Sequence, residues 1–311
     1  MLKGLDLSAQ GNALGREANA LGREANALGM VAMRATGRQH PMKPCISQAT
    51  TLPNPFAEDV RDYAAGGCTA IEVWLTKLEQ HLETVSASDT ATLLADNGVV
   101  LAAAAYQGGL LLSQGAQRKV HFDHFKRRLD LCQQFGIPTL LLVADFAQRP
   151  EPTDLGRAVV SLVEAARWAA GFGVRLGLEF RGTDTFCNCL DTAISLVDQC
   201  GESNVGVCLD VFHYYKGPSK PEDLDRLTTA NLAHVQVCDV AGVPREWMTD
   251  SDRVLPGEGD FRLGPVLARL RAIGYGGYVS LELLNPVLWQ VKASQVADAA
   301  ARALTRLLGA G

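Results

Sequence analysis

The sequence lacks several features that would place it in a broad class at once. No run of about 18 uncharged apolar residues occurs, so no membrane-spanning helix is predicted. No stripe of lysine and arginine interleaved with aromatic residues occurs, and the net charge is −5, which argues against a nucleic-acid partner. The N-terminus lacks the charged-then-apolar order of a signal peptide. We therefore expect a small-molecule substrate and neither a membrane nor a nucleic acid as partner.

The eight cysteines also lack CxxC spacing. They are scattered inside predicted strands and helices, which is typical of buried thiols in the reducing cytosol rather than of a disulfide framework. The chain is therefore predicted to be cytoplasmic. Its sequence leaves the oligomeric state open, a homo-oligomer included.

What the chain does contain is enough apolar sequence for one large core. It has 311 residues, of which 47% are hydrophobic and 20% charged, and single α/β barrels commonly reach about 250 residues or more. We predict one catalytic domain over residues 43–311.

The first 42 residues are predicted to be a low-complexity, disordered tail. The motif NALGREA repeats there with a period of seven from Asn12. A short coiled coil is the alternative, but each repeat carries a glycine that costs about 1 kcal/mol in a helix. The other interpretation is that the segment is upstream sequence translated from a misplaced start. Later methionines, Met30, Met33 and Met42, are then the candidate starts.

From Pro44 onward, short apolar runs alternate with segments of helical periodicity. The helix after the first strand is predicted over Asn54–Ala65, with Asn54 as its N-cap and Pro55 at its first position. Eight strand–helix units can be counted, and the fold class is therefore α/β, a single (β/α)8 barrel of the TIM type. In such a barrel the chemistry lies at the carboxyl ends of the strands.

Four consecutive strands end on side chains that bind metals. Glu179 ends RLGLEF, Asp210 ends NVGVCLD, His234 lies in NLAHVQVCD and Glu282 lies in YVSLELL. Parallel strands bring these four to one mouth, so we predict a metal site there. An oxygen-rich set with one imidazole favours a single divalent ion, Mn²⁺ first, with Zn²⁺, Co²⁺ or Mg²⁺ as alternatives. Taken singly, Glu179 could cap a helix and His234 could be a core histidine.

The segment from Gly177 to about Trp289 resembles the xylose-isomerase-like barrels of the sugar isomerase and epimerase superfamily, and within it the inosose (2-keto-myo-inositol) isomerases of inositol catabolism. The matching motifs are LGLEF, NVGVCLDVFHYY, HVQVCD, TDSDRVLPGEGDF and SLELL. The resemblance implies metal ligands at Glu179, Asp210, His234 and Glu282, and substrate contacts from His213 and Arg253.

This resemblance agrees with what the residues can do chemically. Moving a carbonyl along a polyol requires a proton to leave the carbon beside it and return to a neighbouring atom. Glu179 and Glu282 are the predicted catalytic pair, one taking the proton and the other returning it through an enediolate, beside a metal that polarises the carbonyl. His213 could donate to a substrate oxygen or support a ligand, and Arg253 could hold hydroxyls or pair with a loop aspartate.

Aromatic residues are predicted to line the substrate pocket. Trp74 follows strand two and Trp247 lies in the long loop, and both are candidate substrate-binding residues; Tyr106 and Trp289 are further candidates. Core filling is the alternative for each of them.

Other functions occur on similar barrels, and the sequence bears on each of them. The three-metal centre of endonuclease IV needs additional histidines, which Ala103–Gln107 and Val143–Phe146 do not supply. Ketose 3-epimerases usually carry an Asn-Arg-aromatic-Glu run where this chain has FRGTDTF. A metal-dependent dehydratase of the inosose or 3-dehydroshikimate type is the main alternative, and a binding protein without catalysis is the other class.

Overall fold

The structure is a computed structural model that describes residues 41–146 and 148–309. Eight parallel strands close into a barrel in which each strand pairs with the next along the chain and the last pairs with the first. The predicted (β/α)8 fold is confirmed. The barrel strands are β1 Lys43–Ser47, β2 Ala70–Trp74, β3 Val100–Gln107, β4 Thr139–Val143, β5 Arg175–Glu179, β6 Val205–Asp210, β7 Leu232–Val237 and β10 Tyr278–Leu281.

Two further short strands lie in the long segment between β7 and β10. They pair antiparallel, with Val240 opposite Arg253, and form a small ribbon at the barrel mouth. These strands are β8 Asp239–Val240 and β9 Arg253–Val254.

Helices surround the barrel and bury its outward apolar face. They are α1 Phe56–Ala65, α2 Leu75–Leu82, α3 Ala87–Asp96, α4 Gly115–Gln134, α5 Pro152–Gly171, α6 Leu190–Cys200, α7 Val211–Lys216, α8 Leu263–Ala272 and α9 Ala293–Gly309. None of these described helices is long and apolar enough to cross a membrane.

The start of α1 differs from the sequence prediction. The residue at the N-cap is Pro55, which offers no side-chain cap, and the helix begins at Phe56 rather than at Asn54. The helix ends at Gly66 and Gly67, the latter with φ 86°. A Cβ at Gly66 would lie 2.7 Å from the Cβ of Ala297, so glycine lets α1 pack closely on α9.

The barrel interior is built in layers because side chains alternate along each strand. Along β2, Ala70, Glu72 and Trp74 face the inside at increasing height, and His234 and Gln236 do so along β7. Small residues fill the bottom, where Ala70 packs with Cys45 and Ala102. Polar groups therefore occupy the middle and upper layers, below the mouth.

The predicted N-terminal tail lies outside the described residues, apart from Pro41 and Met42. The division into a tail over 1–42 and a catalytic domain over 43–311 remains a prediction.

Candidate active site and metal centre

Three of the predicted carboxylates meet at the mouth of the barrel. Glu179 is the last residue of β5, Asp210 is the last residue of β6, and Glu282 directly follows β10. Their exposed fractions are only 8%, 0% and 4%. Because burying a charge without compensation is costly, this concentration of carboxylates needs cations beside it.

Arg253 supplies one such cation. Its Nη2 donates to Asp210 Oδ2 at 2.8 Å and its Nη1 to Glu282 Oε2 at 3.2 Å. It also donates to Asp250 Oδ1 from Nε at 3.0 Å and from Nη2 at 2.7 Å. The guanidinium stacks 4.3 Å from the ring centre of Phe212 and is 1% exposed. Arg253 thus joins two predicted metal ligands, and it forms the loop ion pair that was the alternative to substrate binding.

His213 lies next to the carboxylates because α7 begins directly after Asp210. Its Nε2 is 3.5 Å from Glu179 Oε1 and 3.8 Å from Asp210 Oδ2. The other ring nitrogen, Nδ1, is buried and has no hydrogen-bond partner among the described residues. Burial lowers the pKa of His213 to about 4, and Arg253 adds to this although Asp210 opposes it. The ring is therefore neutral near pH 7, as a metal ligand must be.

The structure does not bring His234 into this group. His234 pairs in register with Cys208, two residues below Asp210, so it lies one layer deeper in the barrel. Its Nε2 is 2.7 Å from Glu72 Oε2. Burial favours a neutral Glu72, but the hydrogen bond and charge of His234 lower the pKa of Glu72 below its ordinary value. His234 thus occupies the position of a core histidine paired with a carboxylate.

Gln236 stands at the height where His234 was expected. It pairs in register with Asp210, and its Nε2 donates to Glu72 Oε1 at 2.9 Å and to Glu282 Oε1 at 3.0 Å. Sequence analysis missed Gln236, although the alternation of side chains along a strand places residues 234 and 236 on the same face. The contact fixes the orientation of Glu282, which also accepts from Ser47 Oγ at 3.3 Å.

The electrostatics of the two glutamates show that their charge is not fully compensated. Burial, followed by the nearby Asp210 carboxylate, raises the pKa of Glu179 to about 8. Burial also raises the pKa of Glu282 well above its ordinary value, and Arg253 offsets this only in part. A further positive charge beside the carboxylates would lower both pKa values.

The donor set fits a divalent cation. Glu179, Asp210 and His213 each offer one ligand atom, and these three atoms lie within 4.8 Å of one another. They are buried, rich in oxygen and short of positive charge, and these are the properties that Mn²⁺, Mg²⁺ or Zn²⁺ sites share. Among the described residues this is the one cluster of acids, histidines and cysteines that meets this spacing.

A cavity of about 180 Å³ opens beside this cluster. Its walls include Trp74, Tyr106, Glu179, His213 and Glu282. At about 30 Å³ per water molecule it holds roughly six, which suits one small ring or short chain. The rings of Trp74 and Tyr106 meet edge to face with centroids 5.3 Å apart and form the apolar side of the cavity.

Two of the predicted aromatic residues lie elsewhere. Trp247 is 75% exposed on the long loop and is not among the residues that line the cavity. Trp289 donates from Nε1 to the Ala49 carbonyl at 3.2 Å and also stands outside the lining.

A larger groove of about 1020 Å³ opens at the opposite end of the barrel. Its lining includes Arg175, the first residue of β5, and Asn231, which directly precedes β7. Glu179, Asp210 and Glu282 are not among the residues that line this groove. Because barrel enzymes act at the carboxyl ends of their strands, we assign the active site to the smaller cavity.

An eight-stranded parallel barrel with buried carboxylates and a neutral imidazole at the carboxyl ends of its strands has the plan of metal-dependent barrel enzymes. The chain belongs to the xylose isomerase-like TIM barrel family, whose sequence profile matches residues 60–307.

Individual relatives are enzymes of more than one class. An inosose isomerase from Halalkalibacterium halodurans is 28% identical over 259 residues, which are 82% of this chain and 92% of that protein. A 3-dehydroshikimate dehydratase from Pseudomonas aeruginosa is 28% identical over 253 residues, which are 77% of this chain and 37% of that protein. A crystal structure of the IOLI protein with a binding zinc atom superposes with a TM-score of 0.82 at 25% identity, covering 86% of this chain and 99% of that one.

Proposed function

We propose that the protein is a divalent-metal-dependent isomerase or epimerase of a keto-polyol or keto-sugar. The observation that carries this proposal is the placement of two buried glutamates, Glu179 and Glu282, in the lining of one small cavity. They belong to β5 and β10, which are separated in the barrel by two strands. A substrate between them would meet one carboxylate on each side. The likeness to inosose isomerases supports the choice of substrate class.

The reaction requires a proton to move between two carbons of the substrate. One glutamate would remove the proton beside the carbonyl, and the other would return a proton to the neighbouring atom, with an enediolate between the two steps. The metal ion, when bound, would polarise the carbonyl and stabilise the negative charge that develops. Glu282 accepts hydrogen bonds from Ser47, Gln236 and Arg253, whereas in the described part of the chain Glu179 has only the 3.5 Å contact to His213. Glu179 is therefore the freer of the two to change its protonation.

Arg253 and His213 would orient the substrate. Both line the cavity, and a guanidinium presents a planar fork of donors to neighbouring oxygens. The neutral imidazole of His213 could donate one hydrogen bond to a substrate oxygen or serve as a metal ligand. Its Nδ1 is buried and has no hydrogen-bond partner among the described residues, which supports a ring that is held by packing.

The proposed metal ligands are Glu179, Asp210 and Glu282. For the fourth position the structure favours His213 or the amide oxygen of Gln236 over His234, because His234 would first have to leave Glu72. Titration calorimetry with Mn²⁺ separates these ligands. A ligand replaced by alanine should weaken binding by at least tenfold, and the His234→Gln variant should bind within about threefold of the wild-type protein. A tenfold loss in His234→Gln would instead support the ligand set predicted from the sequence.

A substrate panel tests the reaction itself. The Mn²⁺-loaded protein would be incubated in D₂O with 2-keto-myo-inositol, free ketoses, ketose phosphates and 3-dehydroshikimate. Isomerisation or epimerisation should label a carbon of the turned-over substrate with deuterium without producing an enone absorbance. If no compound in the panel exchanges a proton faster than it does with the Glu179→Gln variant, the proposal fails.

Dehydration is the second candidate function. It is favoured by the likeness to a 3-dehydroshikimate dehydratase over 77% of this chain, and the same carboxylate could abstract the proton before water leaves. The panel separates the two reactions, because loss of water produces the absorbance that isomerisation lacks.

A further inference from the structure

Arg181 is a second arginine at the cavity, and it differs from Arg253 in its surroundings. It follows Glu179 by two residues and lines the same cavity as Glu179, His213 and Arg253. Its side chain is exposed. Among residues 41–146 and 148–309, no carboxylate oxygen lies within 4.0 Å of its guanidinium, and no hydrogen bond from its side chain is formed.

The absence of an ion pair at Arg181 is informative because carboxylates are close. Its charge contributes to lowering the pKa of Asp250, although Arg253 contributes more after the opposing effect of burial. Asp250 nevertheless gives its Oδ1 to Arg253, at 2.7 Å and 3.0 Å. Arg253 pairs with three carboxylates. Arg181 forms no ion pair within 4.0 Å in the part of the chain that the structure describes, although its charge opposes the rise in the pKa of Asp184 that burial causes.

The backbone at Arg181 and Gly182 packs closely against α7. Gly182 packs so closely on α7 that a Cβ would lie 2.6 Å from the Gly217 nitrogen and 2.8 Å from the His213 carbonyl oxygen. The Arg181 amide donates to the Cys187 carbonyl at 3.3 Å. The main chain at Arg181 is therefore fixed at the rim, and the exposed side chain extends from that point.

We propose that Arg181 binds an oxyanion of the substrate, and that this group is a carboxylate, so the keto-polyol or keto-sugar is itself an acid. The inference rests on the proposed function, because it adds a substrate class to the same cavity. A neutral polyol bound at the mouth would give the Arg181 guanidinium no charged partner. A carboxylate can accept two parallel hydrogen bonds from the planar guanidinium. The buried glutamates would otherwise repel an anionic substrate, and Arg181 offsets that repulsion.

The test compares substrates that differ in charge on variants that differ only at the rim. Arg181→Leu removes the guanidinium, and Arg181→Lys keeps the charge without the fork. Arg127→Leu makes the same change in net charge at an exposed residue of α4 that does not line the cavity. The substrates are 3-dehydroshikimate, which carries a carboxylate, a ketose phosphate and the neutral 2-keto-myo-inositol, each with Mn²⁺.

The expected result is selective for the anion. Arg181→Leu should lower kcat/KM for the carboxylate substrate by about tenfold to hundredfold, mainly through KM, and Arg181→Lys by less. The neutral substrate should change by less than about threefold, and Arg127→Leu should change neither. If Arg181→Leu affects neutral and carboxylate substrates equally, or if the neutral compound is the better substrate of the wild-type protein, the inference is overturned.

Two outcomes distinguish this inference from the proposed function. Dependence on Arg181 for the phosphate compound alone would overturn the assignment to a carboxylate. If none of the compounds is turned over, the proposed function fails, and calorimetric binding of 3-dehydroshikimate and 2-keto-myo-inositol decides the inference. Binding of the carboxylate that is weakened by Arg181→Leu and not by Arg127→Leu supports it; equal binding in all variants, or none, overturns it.

Discussion

Two buried groups of charged residues lie near the barrel mouth, and they differ in how completely their charges are paired. The first, which we call the mouth cluster, consists of Glu179, Asp210, Glu282 and Arg253. The second, which we call the Lys77 network, consists of Gln48, Thr51, Asp59 and Lys77.

In the Lys77 network every charge has a partner. Lys77 Nζ donates to Asp59 Oδ2 at 2.6 Å and to the carbonyl oxygens of Thr51 and Gln48 at 2.7 Å and 3.2 Å. Asp59 Oδ1 accepts from Thr51 Oγ1 at 2.7 Å. One acid meets one base, and the network ties α1 and α2 to the turn after β1. It is a structural ion pair.

The mouth cluster instead has three carboxylates for one arginine. Within residues 41–146 and 148–309, the side chain of Glu179 has only the distant contact to His213, at 3.5 Å, and its pKa is raised to about 8 by burial and by Asp210. A folded protein keeps such an arrangement only where function uses it, because buried unpaired charge lowers stability. The two groups therefore differ in how their charges are paired rather than in burial.

The largest expected effect comes from substitutions in the mouth cluster, and it is on catalysis. Glu179→Gln and Glu282→Gln should each reduce turnover by about 10³-fold, because each removes one partner of the proton transfer. Glu179→Gln should not lower the melting temperature of the metal-free protein, since Glu179 forms no ion pair with Arg253, whereas Glu282→Gln should lower it because it removes the ion pair with Arg253. Solvent deuterium incorporation and circular dichroism measure the two quantities.

A matched control exists in the same region of the chain. Glu258 is exposed in the turn that follows β9, and Glu258→Gln should leave turnover within about twofold of wild type. If Glu258→Gln costs as much as Glu179→Gln, the assignment of the catalytic pair is wrong.

The second prediction concerns the Lys77 network, where the effect should be on stability. Lys77→Met should reduce the free energy of unfolding by about 3–5 kcal/mol, because it leaves Asp59 buried without a cation. The double variant Asp59→Asn, Lys77→Met should recover part of that loss. Urea denaturation measures both, and Mn²⁺ affinity should stay within about threefold of wild type. A larger loss of stability in the double variant than in Lys77→Met would show that the pair is not an isolated structural unit.

The third prediction concerns pH. The folded-state pKa of Glu179 is raised from 4.5 to about 8, so folding favours its protonated form. The contribution of Glu179 to the free energy of unfolding of the metal-free protein should therefore fall as pH rises from 4.5 to about 8. A bound cation takes the place of the proton, so release of the Glu179 proton should by itself raise Mn²⁺ affinity by up to about tenfold per pH unit below about 8.

Calorimetry in two buffers of different ionisation enthalpy gives the number of protons released on Mn²⁺ binding. The number should be smaller for Glu179→Gln than for wild type at pH 7. Equal proton release in both proteins would contradict the role given to Glu179.

The comparison also explains how far the sequence could predict this site. Periodicity and strand ends are local properties, and they sufficed for the barrel and for placing Glu179, Asp210 and Glu282 at its mouth. The exact height of a side chain within the barrel depends on the register between neighbouring strands. Asp210 pairs with Gln236 and not with His234, and nothing in the single sequence fixes that pairing.

Partners across the barrel were equally beyond the sequence. His234 contacts Glu72, which is 162 positions away along the chain, and Arg253 contacts Asp210 across 43 positions. The count of eight strand–helix units missed α3, a second helix between β2 and β3, because tertiary packing rather than local sequence decides such short helices.

The smallest expected effect is on KM, and it distinguishes Trp74 from Trp247, which were both predicted to bind substrate. Trp74 lines the cavity and packs against Tyr106, so Trp74→Ala should raise KM about tenfold by removing an apolar wall. Trp247 is 75% exposed outside the lining, so Trp247→Ala should change KM by less than about threefold, a range typical of surface substitutions. Steady-state kinetics on the best substrate of the panel measures both. A tenfold rise in Trp247→Ala would show that the long loop folds over the bound substrate, and the wall would then include a residue from outside the cavity described above.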